Sequence, residues 1–276
     1  MFDPRKVAVI GGTGHMGSWF AKFFADQSCS VTISGRSFSK ARAAAGRLRI
    51  KAVKSNIEAV KGADLVIISV MADTFERVVK EIAPYTTEKQ VVIDLTSVKE
   101  MPVRLLHKHI RRSRVLGTHP MFGPSVKTPD NQNIVLTPTN KKEKILASDV
   151  GKYLRKRGFN IITLTPRKHD EMISIILSLT HFVGFVTADT WQRLKVERYV
   201  SSSSTSFRFL RSFVFSIVES DPYLYSYLQA YVPGAASVEK LFTNRSKRWA
   251  KLTSEKRTKE LARSISSLRS YIQKLG

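Results

Sequence analysis

The apolar residues of the first 165 positions occur mainly in short continuous runs, separated by segments with helical spacing. Such runs are typical of strands buried on both faces of a sheet. They predict strands at 7–10, 31–34, 50–53, 65–70, 91–95, 115–116, 133–137 and 160–164. Predicted strands that alternate with helical segments along the chain in this way indicate an α/β fold with a doubly wound parallel sheet.

The pattern changes after position 165. Apolar residues recur at helical spacing through 169–195, 206–219 and 223–230, and no strand pattern follows. A chain of 276 residues is long enough for two domains. We therefore expect an α/β domain at 1–165 and an all-helical domain at 166–276.

A glycine-rich turn follows the first predicted strand. Gly12, Gly14 and Gly17 have the spacing G-x-G-x-x-G and precede a helical pattern. In this context the glycines permit a tight turn, close approach of a pyrophosphate, and close packing of helix on strand. A phosphate-binding P-loop is excluded because Ser18 occupies the position of its lysine. The motif therefore predicts that residues 1–165 form a Rossmann domain that binds NAD(P), and the alternative is an ordinary glycine-rich turn. The predicted cofactor-binding residues here are Gly12, Thr13, Gly14, His15, Met16, Gly17 and, after the fourth strand, Val70.

The end of the second predicted strand bears on the choice of dinucleotide. An acidic residue at this place holds the ribose 2′-hydroxyl of NAD, but this chain has Ser34, Arg36 and Ser37 instead. Hydroxyls and a cation suit a 2′-phosphate, so we predict that these residues bind NADP. In the alternative interpretation Arg36 stacks on adenine and NAD is also accepted.

The chain is strongly basic, with 46 Lys and Arg against 22 Asp and Glu and a net charge of +24. Two interpretations are open: a field that attracts anionic partners, or a solvated basic surface. The last predicted helix carries an apolar seam of Leu261, Ile265, Leu268, Ile272 and Leu275 in a basic segment. We expect this seam to pack on its own domain or on a partner subunit, and nucleic-acid binding is not favoured.

Targeting and redox signals are sparse. The apolar stretch Ile173–Ala188 contains polar residues and falls short of the ~18 residues of a membrane span. The first strand begins too early to leave room for a signal peptide. A single cysteine, Cys29, excludes an internal disulfide, and the histidines suggest no metal cluster. We expect a cytoplasmic protein without a bound metal.

Two histidines are candidates for chemistry. His119 follows a predicted strand at the edge where α/β sheets bind ligands, on a loop stiffened by Pro120 and Pro124. His181 lies in an apolar helix, where a structural role is the alternative. His169 and Asp170 open the same helix, where N-terminal capping is the simplest interpretation.

These residues lie in segments that resemble the prephenate dehydrogenase family in order and spacing. The segments are Asp94–Lys99 (DLTSVK), Gly117–Pro124 (GTHPMFGP), His169-Asp170 with Leu179–Phe182 (LTHF), and Pro222–Tyr225 (PYLY). The resemblance runs from Val7 to about Tyr231. It implies a dinucleotide-binding domain and a helical domain that forms a homodimer.

The resemblance also implies an activity. Prephenate or arogenate undergoes oxidative decarboxylation in tyrosine biosynthesis, with hydride transfer to NADP, or to NAD. By the same resemblance His119 accepts the proton of the substrate 4-hydroxyl, Ser97 supports that hydroxyl, and His181 lines the substrate pocket. We assign Ser97 and His181 to catalysis, and Ser97, Lys99 and His181 to substrate binding.

One position departs from the family pattern. Members usually carry an arginine six residues before the proline of the Pro-Tyr-Leu-Tyr motif, but this chain has Ser216. A serine cannot replace a bidentate cation, so Arg208 or Arg211 is predicted to bind the substrate carboxylate, with a lysine from the tail of a partner subunit as the alternative. Arg208 precedes Ser216 by two turns of the predicted helix and is expected on roughly the same face. Two alternatives are a related NADP-dependent dehydrogenase with another anionic substrate, and a non-catalytic basic NADP-binding protein.

Overall fold

The computed structural model describes residues 2–219 and 221–274. The described chain forms two compact units that divide between Ile173 and Ser174. Three residues named in the predictions lie outside the described residues. They are Met1, where the first predicted domain starts, Leu275, the last residue of the apolar seam, and Gly276, where the second predicted domain ends.

The first unit is built on an eight-stranded sheet. Its strands are β1 (Lys6–Ile10), β2 (Ser30–Ser34), β3 (Lys51–Ala52), β4 (Leu65–Ile68), β5 (Val91–Asp94), β6 (Arg114–Pro120), β7 (Asn133–Thr137) and β8 (Asn160–Thr163). Their order is β3-β2-β1-β4-β5-β6-β7-β8, and every pair is parallel except β6 and β7. The predicted doubly wound, mainly parallel sheet is therefore confirmed, and the antiparallel pair of β6 and β7 is an addition that the sequence pattern did not show. No helix separates β6 from β7, and a parallel pair needs such a crossover.

The described residues of the first unit form seven α-helices: α1 (His15–Asp26), α2 (Phe38–Leu48), α3 (Asn56–Val60), α4 (Ala72–Ile82), α5 (Glu100–His109), α6 (Lys141–Arg155) and α7 (Pro166–Ile173). Ser37, Ser55 and Asn140 begin α2, α3 and α6 by accepting a hydrogen bond from a backbone N–H three residues later. Polar residues of the loops thus set where these helices start.

The central strands are buried on both faces. Val9 and Ile67 belong to the core on one face, and Ala8 and Val66 belong to the core on the other. Side chains of a strand alternate between faces, so a continuous apolar run supplies both cores at once. For this reason the strands of this sheet have continuous runs of apolar residues rather than alternating apolar and polar residues.

The second unit is helical throughout its described residues. It contains a π-helical turn (Ser174–Leu179), α8 (Thr180–Leu194), a 3₁₀ segment (Val196–Ser202), α9 (Thr205–Val218), α10 (Pro222–Tyr231), α11 (Ala235–Ser254) and α12 (Thr258–Ile272). Helices α8 and α9 pack closely, because a Cβ at Gly184 would lie 2.7 Å from Ile217 Cδ1. The prediction of a helical segment without strands agrees with this architecture.

The helical run Pro166–Leu194 is long and apolar enough to cross a membrane, judged by length and composition alone. The expectation that this stretch falls short is therefore wrong on that criterion. Only 28% of its most apolar window is buried. A core helix of a soluble protein passes the same test, so one such helix is weak evidence for a membrane span.

Candidate active site

The glycine-rich loop between β1 and α1 is held in place by backbone hydrogen bonds. The N–H groups of Gly11 and Gly12 each donate to Ser34 O at 3.0 Å, and this ties the loop to the end of β2. A Cβ at Gly12 would lie 2.6 Å from Ile33 Cβ, and one at Gly17 would lie 2.3 Å from Gly11 O. The predicted roles of Gly12 in the turn and of Gly17 in helix packing therefore have a steric basis.

Space for an anion is left at the N-terminus of α1. Gly14 caps the helix without any side-chain hydrogen bond, and no acidic residue lies in the first turn. A Cβ at Gly14 would meet only Gly11 O, at 3.3 Å, while Thr13 and His15 are exposed. Backbone N–H groups and the positive end of the helix dipole face this space, so the residues fit a dinucleotide pyrophosphate.

The sequence prediction missed Gly11 as a member of this loop. Its φ of +78° is in the left-handed region, and a Cβ there would lie 2.1 Å from Ser69 O and 3.1 Å from Val70 Cγ1. The structure therefore places Val70 beside the loop, and its contact with a cofactor stays a prediction. The signal for Gly11 was the glycine doublet that follows β1.

The predicted 2′-phosphate residues differ in their surroundings. Ser34 is buried, and its hydroxyl donates to Asn56 Oδ1 at 2.8 Å, so this hydroxyl is already bound within the protein and is inaccessible to a phosphate. That contact corrects its assignment as a phosphate ligand. Ser37 begins α2, and Arg36 is exposed in the turn before it. Arg36 and Ser37 remain the candidates at this place.

Lys99 does not lie where a substrate can reach it. Its side chain is fully buried, and its ammonium donates to Asp94 Oδ2 and, at 2.5 Å, to Thr118 O. Burial lowers the pKa of Lys99, and the Asp94 carboxylate opposes that shift. Its assignment to substrate binding is therefore wrong: Lys99 joins the loop after β5 to strand β6.

His119 lies inside β6 and is buried, whereas the sequence predicted a loop position. The strand extends to Pro120 because β7 pairs with it, with His119 opposite Val135. His119 Nδ1 lies 2.9 Å from His169 Nε2, and His169 Nδ1 lies 2.7 Å from Asp170 Oδ1. Three polar side chains are thus joined in the core at the end of the sheet.

Asp170 connects this group to α5. Its two carboxylate oxygens accept the N–H groups of Lys99, at 2.7 Å, and Glu100, at 3.0 Å. The sequence interpretation of Asp170 as a cap was right in kind, but the helix that it caps is α5 rather than its own. His169 and Asp170 were not predicted as site residues, because nothing local in the sequence shows which histidine they face.

The environment keeps His119 uncharged. Burial lowers the pKa of His119 well below 6.5, and nearby His169 and Lys99 lower it further. Burial also lowers the pKa of His169, although Asp170 opposes the shift. His119 is therefore a neutral imidazole at pH 7, which can accept a proton. Ser97 is half-buried in the loop between β5 and α5.

His181 is the candidate of the second unit. It is buried on α8, and its ring lies 4.2 Å from that of Tyr225. Burial lowers its pKa to about 4. Within the described part of the chain, His181 Nδ1 and the hydroxyl of Ser178, one turn earlier, are buried without a hydrogen-bond partner. Unsatisfied buried polar atoms are rare and often mark a functional position.

The two arginines predicted to replace the missing family arginine lie on α9 with Ser216. Arg208 is exposed and Arg211 is half-buried. By helix geometry Arg208 lies about 12 Å along the axis and about 80° around it from Ser216. Arg211 lies about 140° around the helix. Arg208 therefore lies nearer than Arg211 to the face of α9 that carries Ser216, but not directly on it.

The parallel sheet, the glycine loop and the open helix N-terminus define the class of a Rossmann-type dinucleotide-binding domain, here followed by a helical unit. Two family models match the chain. The nucleotide-binding domain of prephenate dehydrogenase matches residues 20–163, and the dimerization domain of prephenate dehydrogenase matches residues 165–267. The chain belongs to the prephenate dehydrogenase family.

Curated relatives agree with this assignment. A probable arogenate/prephenate dehydrogenase of Methanocaldococcus jannaschii is 33% identical over 254 residues, which are 91% of this chain and 57% of that protein. The T-protein of Haemophilus influenzae is 26% identical over 227 residues, 81% of this chain and 55% of that protein. The chain thus spans somewhat more than half the length of these relatives.

Solved structures show the same fold. Prephenate dehydrogenase from Aquifex aeolicus, in complex with hydroxyphenyl propionate and NAD+, has a TM-score of 0.79 at 20% identity and covers 100% of this chain and 99% of its own. Arogenate dehydrogenase from Synechocystis has a TM-score of 0.73 at 18% identity, over 98% of this chain and 100% of its own. The predicted combination of Rossmann and helical domains is confirmed.

Proposed function

We propose that this protein is a prephenate or arogenate dehydrogenase of tyrosine biosynthesis. The observation that carries the proposal is His119, a buried and neutral imidazole at the carboxyl end of the sheet. Family membership supports the reaction, since the matched models are those of prephenate dehydrogenase. We place the protein in the cytoplasm, where its single cysteine, Cys29, is compatible with a reducing environment.

In this reaction His119 receives the proton of the substrate 4-hydroxyl as the bond from C4 to its hydrogen breaks. A nicotinamide dinucleotide held at the glycine loop and the N-terminus of α1 would supply the acceptor for that hydrogen as hydride. The ring carboxylate leaves as carbon dioxide, its electron pair makes the ring aromatic, and the proton on His119 returns to the phenolic oxygen. No net proton is released, so a neutral imidazole suits both proton transfers. Ser97 and His181 are the proposed supports of the hydroxyl and of the substrate pocket.

The test of this role is His119→Asn. Loss of a general base typically costs about two to four decades of rate, so kcat falls by that amount while the thermal transition stays in place. The assay follows reduction of NADP and NAD with prephenate and with arogenate, crossed in one experiment. His109→Asn, the same substitution at a half-buried histidine of α5, is the control. Turnover near that of the parent protein would remove His119 from the mechanism.

NADP is the proposed cofactor, with NAD as the possible alternative. Support comes from the absence of an acid at the end of β2 and from the exposed guanidinium of Arg36 beside Ser37. Arg36→Ala is expected to weaken NADP binding about tenfold or more, as loss of a charge-assisted contact does, with little effect on NAD. Arg42→Ala, an exposed arginine one turn into α2, is the control. Equal loss for both dinucleotides would contradict a 2′-phosphate contact.

Substrate binding is the less supported part of the proposal, because Ser216 replaces the expected arginine. We retain Arg208 and Arg211 as candidates for the carboxylate. Each is tested as an alanine variant, for which KM rises at least tenfold if its charge contacts the substrate. If both variants keep the parent's KM, the substrate carboxylate is bound elsewhere.

We also propose a homodimer through the helical unit. Support comes from the match to a dimerization domain and from large apolar side chains that the unit leaves exposed. Among them Ile265, Leu268 and Ile272 of α12 lie on one seam and are 52%, 48% and 59% exposed. A soluble protein rarely leaves such a surface uncovered. Leu268→Glu is expected to weaken the dimer in sedimentation experiments, whereas Ser266→Glu on the same helix is not.

A further inference from the structure

Asp170, His169 and His119 form a continuous buried chain of hydrogen bonds in the first unit. The carboxylate to imidazole distance is 2.7 Å, and the imidazole to imidazole distance is 2.9 Å. The three residues are 1%, 0% and 6% exposed. Water is therefore largely excluded from the chain, and each link needs one donor and one acceptor among these side chains alone.

The direction of these bonds follows from the Asp170 end. Both oxygens of its carboxylate accept a backbone N–H group at the start of α5, so neither oxygen is placed as a donor there. An ionised carboxylate is only an acceptor, so His169 Nδ1 carries the hydrogen of the first link. Because His169 is neutral at pH 7, its Nε2 has a lone pair and accepts the second link.

The second link then decides the form of His119. Its Nδ1 must donate to His169 Nε2, so the hydrogen of the neutral His119 imidazole is on Nδ1. The lone pair is left on Nε2, the ring atom on the other side from His169. Neutral imidazole in water favours the opposite form, with hydrogen on Nε2. The chain therefore selects the form with a basic Nε2.

We infer that Asp170 and His169 are positioning residues that hold His119 in its Nδ1–H tautomer and make Nε2 the atom that accepts the substrate proton. The inference rests on the proposed function for the identity of that proton, but not for the tautomer itself. Charge on Asp170 also supports the imidazolium that forms when Nε2 is protonated. A carboxylate that orients a histidine in this way raises its effectiveness without touching the substrate.

Two variants at one position separate this role from a structural one. His169→Gln presents an amide oxygen near the place of Nε2, so the acceptor for His119 is kept. His169→Asn presents its amide near the place of Nδ1, so the contact with Asp170 is kept and the contact with His119 is lost. Both variants remove the imidazole and are similarly polar, which makes each a control for the other.

The measurement is ¹⁵N NMR of the full-length protein with labelled imidazole rings, in which protonated and unprotonated ring nitrogens differ in shift. The spectrum of His119→Asn identifies the His119 signals. We expect the Nδ1–H form in the parent protein and in His169→Gln, and the Nε2–H form in His169→Asn. On the proposed function, kcat of His169→Asn falls about ten- to a hundred-fold, less than the two to four decades expected for loss of the base itself, because the imidazole of His119 remains.

The outcomes are distinguishable. An Nε2–H form of His119 in the parent protein would overturn the inference even if the protein turns over prephenate or arogenate. An Nδ1–H form without turnover of either acid would reject the proposed function and support the tautomer assignment. If His169→Asn does not fold, the parent spectrum and that of His169→Gln still decide the question.

Discussion

Replacing Lys99 by methionine removes one charge from a fully buried ion pair and leaves a side chain of similar length. The ammonium of Lys99 contacts Asp94 Oδ2 and the carbonyl of Thr118, so it joins the loop after β5 to strand β6. The variant leaves the Asp94 carboxylate in the core without a cation. Its effect on stability therefore tests whether Lys99 is structural, as the geometry indicates, or a ligand of the substrate.

The expected magnitude follows from what Asp94 keeps. Breaking a buried pair by removing one partner costs ~3–5 kcal/mol, because the other charge stays desolvated. Asp94 retains the N–H groups of Thr96, at 3.0 Å, and Thr118, at 3.3 Å. We therefore expect the lower end, about 3 kcal/mol. For a unit of this size each kcal/mol lowers the melting temperature by about 2–4 °C, so the transition moves down by about 6–12 °C.

The assay combines thermal and urea unfolding with steady-state kinetics. Lys108→Met, on an exposed lysine of α5, is the matched control and should melt with the parent protein. In the double variant of Lys99→Met with Asp94→Asn, the loss should be smaller than the sum of the two single losses, since the unpaired charge is removed. A Lys99→Met protein that melts with the parent and has a raised KM would refute this reasoning and restore the sequence assignment.

Three further predictions follow from the geometry. In Gly17→Ala the new Cβ lies 2.3 Å from a backbone oxygen, so the free energy of unfolding in urea falls by about 1–3 kcal/mol. In Gly14→Ala the new Cβ meets one oxygen at 3.3 Å, so this variant should melt at the temperature of the parent protein. It should nevertheless bind NADP at least tenfold more weakly in calorimetry, because the Cβ occupies the space at the helix N-terminus. The pKa of His181 falls from 6.5 to about 4 on folding, so the unfolded chain binds this proton more tightly and the free energy of unfolding decreases as pH falls from 6.5 through 4. His181→Phe should make this loss of stability at acid pH smaller. A variant whose stability has the same pH dependence as that of the parent protein would contradict the prediction. Trp19→Phe removes the 2.7 Å hydrogen bond from Trp19 Nε1 to Val126 O, which should lower the free energy of unfolding by about 1 kcal/mol. Backbone hydrogen exchange in the loop at 121–132 should become faster. Unchanged exchange would show that packing of the ring alone holds the loop.

The sequence by itself determined the elements of the first unit, because local patterns carry them. A continuous apolar run is the signature of a strand with both faces buried, and the eight strands lie where those runs occur. The spacing of Gly12, Gly14 and Gly17 identified the nucleotide loop. A Cβ at Gly12 or Gly17 would clash with atoms that are close in the chain or on the adjacent strand, whereas Gly14 leaves the helix N-terminus open. These features depend on short-range geometry, so they can be predicted from one sequence.

The family motifs placed His119 correctly at the end of the sheet but not in its strand. Pairing with β7 extends β6 as far as Pro120, and the antiparallel direction of that pair depends on a loop without a helix. Neither fact is visible in the apolar pattern, which marked only 115–116. The difference matters because a strand residue is buried and a loop residue is usually solvated, which changes the expected pKa of the imidazole.

Only the tertiary structure decided the roles of the charged and polar residues. Lys99 follows Ser97 in a motif that suggests a shared site, yet the turn of the loop directs its ammonium to Asp94 in the core. His169 faces His119 across fifty positions of sequence, and Asp170 caps a helix that begins seventy positions earlier. A polar side chain gains its function from the partner that satisfies it when water is excluded, and that partner is chosen by packing rather than by sequence distance.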